Sequence, residues 1–341
     1  MEQGRVLLDH GGGGEAAHRL IREVFLSRFT APEGTVRDDD AALLDEIRGP
    51  LAFSTDGYII DPVEFAGGDI GSLAVHGTVN DVAMLGAVPL YLSCAFILEE
   101  GLPFPLLERL AQSMADAASA AGVRIVTGDT KVAPRGTADK IFITTAGIGR
   151  VIADPAPSGT RAAPGDAVLL SGCVGDHGLA LTALRGGLHA LSDIRSDSAP
   201  LNRMVEALVR EAGDLHVLRD PTRGGLAATL NEIARRSAVV CLVREADVPV
   251  RDSVAAGCSV LGLDPLYLAN EGKLVCILPQ NRAEAALNAM RRFPEGRDAA
   301  CIGEIAPSGA DGKTGQVILH TRLGGRRLLS MPEGEQLPRI C

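Results

Sequence analysis

The chain has 341 residues, with 33 basic against 43 acidic side chains, a net charge of −10 and a pI near 5.2. A surplus of acid with no Lys/Arg cluster argues against nucleic acid or an anionic membrane as partner. The 46% hydrophobic share suffices for sizeable cores, but 3% aromatics and no Trp make those cores aliphatic, and the length suggests two domains.

Residues 1–36 read as a flexible Gly-rich arm and a helix. Gly11–Gly14 precede a helix from Glu15 to Phe29 with Leu20, Val24 and Phe25 on one face. Four glycines before a helix resemble a phosphate-cradling loop, but no Gly-Lys-Ser/Thr follows; a flap over phosphates and a loose arm both fit.

Residues 37–153 form the predicted N-terminal domain. Leu51–Thr55 is a strand delivered into Asp56, and Ile70–Met84 is helical and carries Asn80-Asp81. The uncharged run Val82–Leu98 is 17 residues, broken by Gly86, Pro89 and Ser93 and without basic flanks. A buried helix end, turn and core strand fit it better than a membrane span. Pro105–Ala121 is the clearest amphipathic helix. Val123–Thr127 is a strand running into Gly128-Asp129-Thr130-Lys131, and Ile141–Ile148 is another.

Ala153–Gly159 reads as the linker to a C-terminal domain over 154–329. Expected there are strands at Ala167–Ser171, Val239–Val243, Leu274–Leu278 and Val317–Leu319, and helices at Leu201–Ala212, after Gly225 and at Arg282–Phe293. Such a mixture points to an α+β fold, two domains of mixed β-sheet covered by helices. Residues 330–341 form a flexible tail, kept extended by two prolines, that ends on Cys341. A thiol on a mobile arm can visit more than one site; a frayed terminus is the plainer reading.

Seven cysteines without a C-x-x-C pair suggest neither zinc nor a disulfide framework. With no signal peptide visible, a reducing cytoplasm is expected.

Asp39, Asp56, Asp81, Asp129 and Asp220 stand at element ends or beside glycines. Isolated acids so placed suit Mg²⁺ shared with a polyphosphate, although each is also a common helix cap or Asx turn. Lys131 can meet a phosphate or act as a base, and Glu271-Gly272-Lys273 puts acid and base in one turn. Arg219 and Arg223 flank Asp220 before a helix, a candidate anion site. His177 in Gly175-Asp176-His177-Gly178 is either a site residue or part of a structural turn, the turn being the plainer reading.

Taken in order, Ser54–Tyr58, Gly67–Gly71, Gly77–Ala83, Thr127–Val132, Arg219–Gly225, Asn270–Leu274 and the closing Pro338-Arg339-Ile340-Cys341 resemble the HypE family of hydrogenase maturation factors. The likeness implies an aminoimidazole ribonucleotide synthetase-like fold and a homodimer through the N-terminal domains. It also implies ATP and Mg²⁺ as cofactors, with Asp39, Asp56, Asp81, Asp129 and Asp220 as metal and phosphate ligands. Thr78, Asn80, Gly128 and Arg223 then belong to the nucleotide site. The implied reaction is ATP-dependent dehydration of an S-carbamoyl group on Cys341 to a thiocyanate, for which Lys131 and Glu271 are the candidates for proton handling or oxygen polarisation. The cyanide ligand of [NiFe] hydrogenase iron is its product. A carbamoyltransferase maturation factor would be the donor and an iron-carrying maturation scaffold complex the acceptor. Pro221 and the acidic neighbours of Asp39 depart from the expected pattern. Alternatives are another ATP-dependent enzyme of the superfamily or a nucleotide-gated thiol carrier; selenophosphate synthesis lacks the expected N-terminal Cys.

Overall fold

A computed structural model describes residues 4–29, 40–307, 314–333 and 337–341. After a 3-10 turn at Leu8–Gly11, α1 (Glu15–Leu20) continues as a π-helical stretch to Leu26. It is followed by β1 (Leu51–Tyr58), the short β2 (Glu64–Phe65) and β3 (Gly68–Asp69), α2 (Ile70–Ala83), β4 (Ala87–Glu99) and α3 (Phe104–Ala121). β5 (Arg124–Ala133) and β6 (Ile141–Val151) complete a sheet of order β1-β6-β4-β5, in which only β4 and β5 run parallel. The Val82–Leu98 run is a helix end, a turn and β4, and among the described residues no helix is long and apolar enough to cross a membrane.

α2 and α3 cover one face of this sheet. Leu107, Leu110 and Met114 of α3 meet Leu73 of α2 and Leu92 and Phe96 of β4 in one core, to which Leu20, Val24 and Phe25 are added. The N-terminal segment is therefore packed on the domain. α3 stops where the sequence requires, because Gly122 adopts φ +74° and caps it in the left-handed region.

The second half comprises β7 (Asp166–Leu170), α4 (Asp176–Arg185), α5 (Asn202–Glu211), β8 (Val217–Arg219), α6 (Gly225–Ser237), β9 (Val240–Arg244) and α7 (Asp252–Leu261). Then come β10 (Val275–Pro279), α8 (Ala283–Met290), β11 (Ala300–Ala306), β12 (Gln316–His320) and β13 (Arg326–Leu328). These strands form one sheet, β13-β12-β9-β11-β7-β10-β8, mixed because β12 runs parallel to β9. β7 and β10 are buried on both faces. Val168, Leu170 and Ile277 meet α6 on one side, while Ala167, Leu169, Cys276 and Leu278 meet α5 and α8 on the other. That explains their unbroken apolar runs.

The domains are clasped through α2. Asn80 donates to Ala199 O (3.0 Å) and Glu271 O (3.5 Å) and accepts from Leu201 N (2.7 Å), and Asn202 donates to Ala121 O (2.8 Å). His76 Nδ1 lies 2.9 Å from Ser198 Oγ, and burial lowers its pKa to about 4. Because the folded value lies below the unfolded one near 6.5, this contribution is present above pH 6.5 and is lost as pH falls towards 4. Expected loss across that interval is roughly 3 kcal/mol. Chemical denaturation from pH 7 to 4 should therefore show a flatter pH dependence for His76→Gln than for the parent.

Two expectations are corrected. The strand expected over Val123–Thr127 does not end before Gly128; Gly128-Asp129-Thr130-Lys131 lies inside β5. The last residues are not an extended arm either, since residues 337–341 fold back into the cleft between the domains.

Candidate active site

Cys341 is held by its own backbone and that of its neighbours. Ile59 N donates to Cys341 O (3.2 Å) and Asp61 N to Arg339 O (3.4 Å). His177, whose predicted turn is the start of α4, is fully buried, and its Nε2 donates to Ile340 O (2.9 Å). Burial lowers its pKa and keeps the ring neutral. Arg185, one helix length on, donates to Pro338 O (2.6 Å), Arg339 O and Asp61 O (2.6 Å). Arg339 reaches Ile59 O (2.9 Å) and Asp139 (2.5 Å), and the Ile340 side chain is buried in the first core.

The seated thiol faces a cavity of about 30 Å³ lined by Asp56, Tyr58, Gly77, Asp81, Asp220, Thr222, Arg223 and Glu271. This opens on a larger polar cleft of about 480 Å³ that shares Asp56, Asp81, Asp220, Thr222 and Arg223. Burial, with Glu271 next, pushes the Cys341 thiol up to about 12. A thiol so placed is not a nucleophile.

Carboxylates crowd this cleft. Asp220 is pushed up to about 7 by burial and by Asp81, and Asp81 is raised by burial and Asp56, against a hydrogen bond from Ser54 (2.7 Å). Glu271 is 4% exposed, its Oε1 has no partner, and burial followed by Asp220 raises its carboxyl well above the ordinary range. Asp56, Asp81, Asp220 and Glu271 share the small cavity with Arg223, and Arg219 and Arg236 join Arg223 in the wider cleft; carboxylates set beside arginines have the chemistry of a divalent-ion and polyphosphate seat. Among the described residues, no three His, Cys, Asp or Glu side chains stand close enough to enclose a metal by themselves. Asp39 lies outside the described residues.

The turn bearing Glu271 is fixed from below. Asp197 accepts from Glu271 N (3.1 Å) and Gly272 N (3.2 Å) and pairs with Lys273 Nζ (3.2 Å), both side chains being buried. Burial pushes the Asp197 carboxyl up, but the Lys273 charge and the hydrogen bonds from the Glu271 amide and Lys273 outweigh it and hold it below its ordinary range. A Cβ on Gly272 would stand 1.8 Å from Asp197 O, so no other residue fits there. Lys273 is thus structural.

Several predicted site residues are elsewhere. Thr78 is fully buried and hydrogen-bonded to Thr145, and Asn80 is the interdomain strut; neither faces the cleft as a nucleotide ligand. Lys131 Nζ is 2.7 Å from Asp129 and holds that carboxyl below its ordinary range. Both line another cavity, of about 280 Å³, with Gly128, Gly11, Gly13, Phe25 and Phe96. The registers Asp56–Thr145, Thr145–Cys94 and Cys94–Gly128 put three strand spacings between β1 and β5, about 14 Å. Within one chain, Lys131 therefore does not act on the Cys341 sulfur.

The arrangement, a terminal thiol presented to a carboxylate-lined cleft between two domains, has counterparts among known proteins. Residues 38–151 match the family described as AIR synthase related protein, N-terminal domain, and residues 163–314 its C-terminal domain. The carbamoyl dehydratase HypE of Cupriavidus necator is 49% identical over 341 residues, covering 100% of this chain and 96% of that protein. The chain belongs to the HypE family of carbamoyl dehydratases.

A crystal structure of the hydrogenase maturation protein HypE in complex with ATP superposes with a TM-score of 0.95 at 63% identity, covering 98% of this chain and 99% of that one. The structure of a HypE–HypF complex gives 0.79 at 44% identity, covering 92% and 99%. The two-domain HypE architecture expected from the motifs is therefore the one found. His177, Arg185, Asp197 and Tyr58 were not identified as site residues. Tyr58 closes a quoted motif and His177 sits between glycines, but no local signal marks Arg185 or Asp197.

Proposed function

We propose that this chain carries out the ATP-dependent dehydration of an S-carbamoyl group on Cys341 to a thiocyanate, which supplies the cyanide ligand of [NiFe] hydrogenase iron. The observation carrying this reading is the Cys341 sulfur seated beside Glu271 in the carboxylate-lined cavity. Phosphorylation by ATP makes the amide oxygen of the thiocarbamate a leaving group; loss of the remaining N–H proton and of phosphate then gives the nitrile.

The residues divide this work. Asp56, Asp81 and Asp220, whose charges repel one another without a cation, would hold Mg²⁺, which supplies charge neutralisation for phosphoryl transfer. Arg223 faces phosphate oxygens. Glu271, whose Oε1 has no partner and which lines the cavity with the Cys341 sulfur, receives the N–H proton. Because the seated thiol stays protonated, loading takes place with the tail released, on a carbamoyltransferase partner such as HypF. The product passes to an iron-carrying scaffold complex.

ATP fits the second cavity, where Phe25 and Phe96 stack at 4.3 Å and the glycine run and Lys131 close the mouth. In one chain that cavity and the thiol lie at opposite edges of the sheet. A homodimer across its uncovered face, where Phe53 is 69% exposed, lets one copy's nucleotide serve the other's thiol. The whole reading is tested by mass spectrometry of the C-terminal peptide after incubation with carbamoyl phosphate, the transferase and ATP. Gain of a carbamoyl group followed by loss of one water is expected; a stable carbamoyl adduct overturns the reading.

A further inference from the structure

Tyr58 lies at the end of β1, 1% exposed, with its ring beneath α2 and its phenol at the wall of the thiol cavity. Its Oη stands 3.3 Å from Thr78 Oγ1, which stands 2.6 Å from Thr145 Oγ1, which in turn lies 3.0 Å from Ala74 O. The carbonyl at the end of this row fixes every proton in it. A carbonyl only accepts, so Thr145 donates to Ala74 O. Thr145 then accepts from Thr78, and Thr78 accepts from Tyr58.

The single phenolic proton is thereby directed away from the cavity. What Oη has left for the cavity is lone-pair density. Gly77 keeps it there, because a Cβ at that position would come within 2.3 Å of Oη.

A carbamoyl group on Cys341 carries two N–H donors and one carbonyl oxygen that must face the phosphoryl donor. Arg223, at the mouth, offers only donors, and the carboxylates Asp56, Asp81 and Asp220 lie towards the larger cleft. Resting on the dehydratase reading above, we propose that Tyr58 is a positioning residue whose phenol oxygen accepts one carbamoyl N–H. It thereby turns the carbonyl oxygen towards the Arg223 mouth. A phenol oxygen is a weak base, so it holds this N–H without removing its proton, which is left for Glu271.

The test follows a single turnover. The parent, Tyr58→Phe and Thr78→Val chains are loaded with the carbamoyl group by the transferase, then mixed with ATP. Loaded and dehydrated forms are counted by intact mass, together with ADP released per thiocyanate. Tyr58→Phe keeps the ring and should load and bind ATP as the parent does. Its loss of water should be slowed about tenfold, the size of one hydrogen bond, with more ADP released per product because misoriented amides waste nucleotide. Thr78→Val removes the acceptor and frees the phenolic proton to point inward, so it should be slowed at least as much. A purely structural role for the ring leaves the ADP ratio at its parental value, and that result overturns the proposal. So does parental dehydration in either variant. A parent that loads but never loses water overturns the dehydratase reading itself and this proposal with it.

Discussion

Replacing Cys341 with alanine abolishes thiocyanate formation, to below a thousandth of the parental yield, while leaving ATP affinity within about twofold. No other thiol takes its place: Cys94, Cys173, Cys241, Cys258 and Cys276 are buried, and none of them, nor Cys301, lines the carboxylate-lined cavity. The tail keeps its seat in the variant, because it is gripped through Ile340 O, Arg339 O and Pro338 O and through the Ile340 side chain, none of which involves sulfur. Calorimetric titration with Mg-ATP and mass spectrometry of the product together check both halves. A marked loss of nucleotide affinity would show that the sulfur shapes the nucleotide site, contrary to the separation between the two cavities.

The second large effect is on stability. Lys273→Met leaves the Asp197 carboxylate without its cation in a site where its side chain is 3% exposed. Removing one member of a buried pair costs about 3–5 kcal/mol, because the remaining charge stays desolvated. In a chain of this length that lowers the melting temperature by roughly 10 °C. Asp197 also holds the Glu271 and Gly272 amides, so the turn loosens and dehydration slows with it. Lys273→Met combined with Asp197→Leu should recover part of the stability, since no lone charge remains, but not the activity, since the amides lose their acceptor. Equal melting temperatures for Lys273→Met and the parent would refute a structural role for this pair.

How far the sequence reveals these features depends on the range of the interactions. α2 and α3 are legible because their apolar spacing and the Gly122 stop are local. The two apolar strands β7 and β10 are legible because both faces are covered. β5 misleads because it combines an edge position with exposed polar residues, so the strand reads as ending at Thr127 when it continues to Ala133. Asn80 misleads for another reason: an Asn beside an Asp looks the same as a phosphate ligand or as a strut, and only the position of Ala199 and Leu201 decides. The partnership of Asp197 with Lys273, and of His177 and Arg185 with the tail, spans 76 to 163 positions of chain and has no local signature.

The unpartnered Glu271 Oε1 and the mutually repelling Asp81 and Asp220 are groups that a bound cation or hydrogen-bond donor would relieve. Whatever neutralises or hydrogen-bonds them binds only the folded chain and so adds to its stability. An idle molecule is accordingly easier to unfold, and easier for a protease to open, than one at work. Melting temperature thus serves as a label-free gauge of occupancy, and the cell's own degradation machinery reads the same difference.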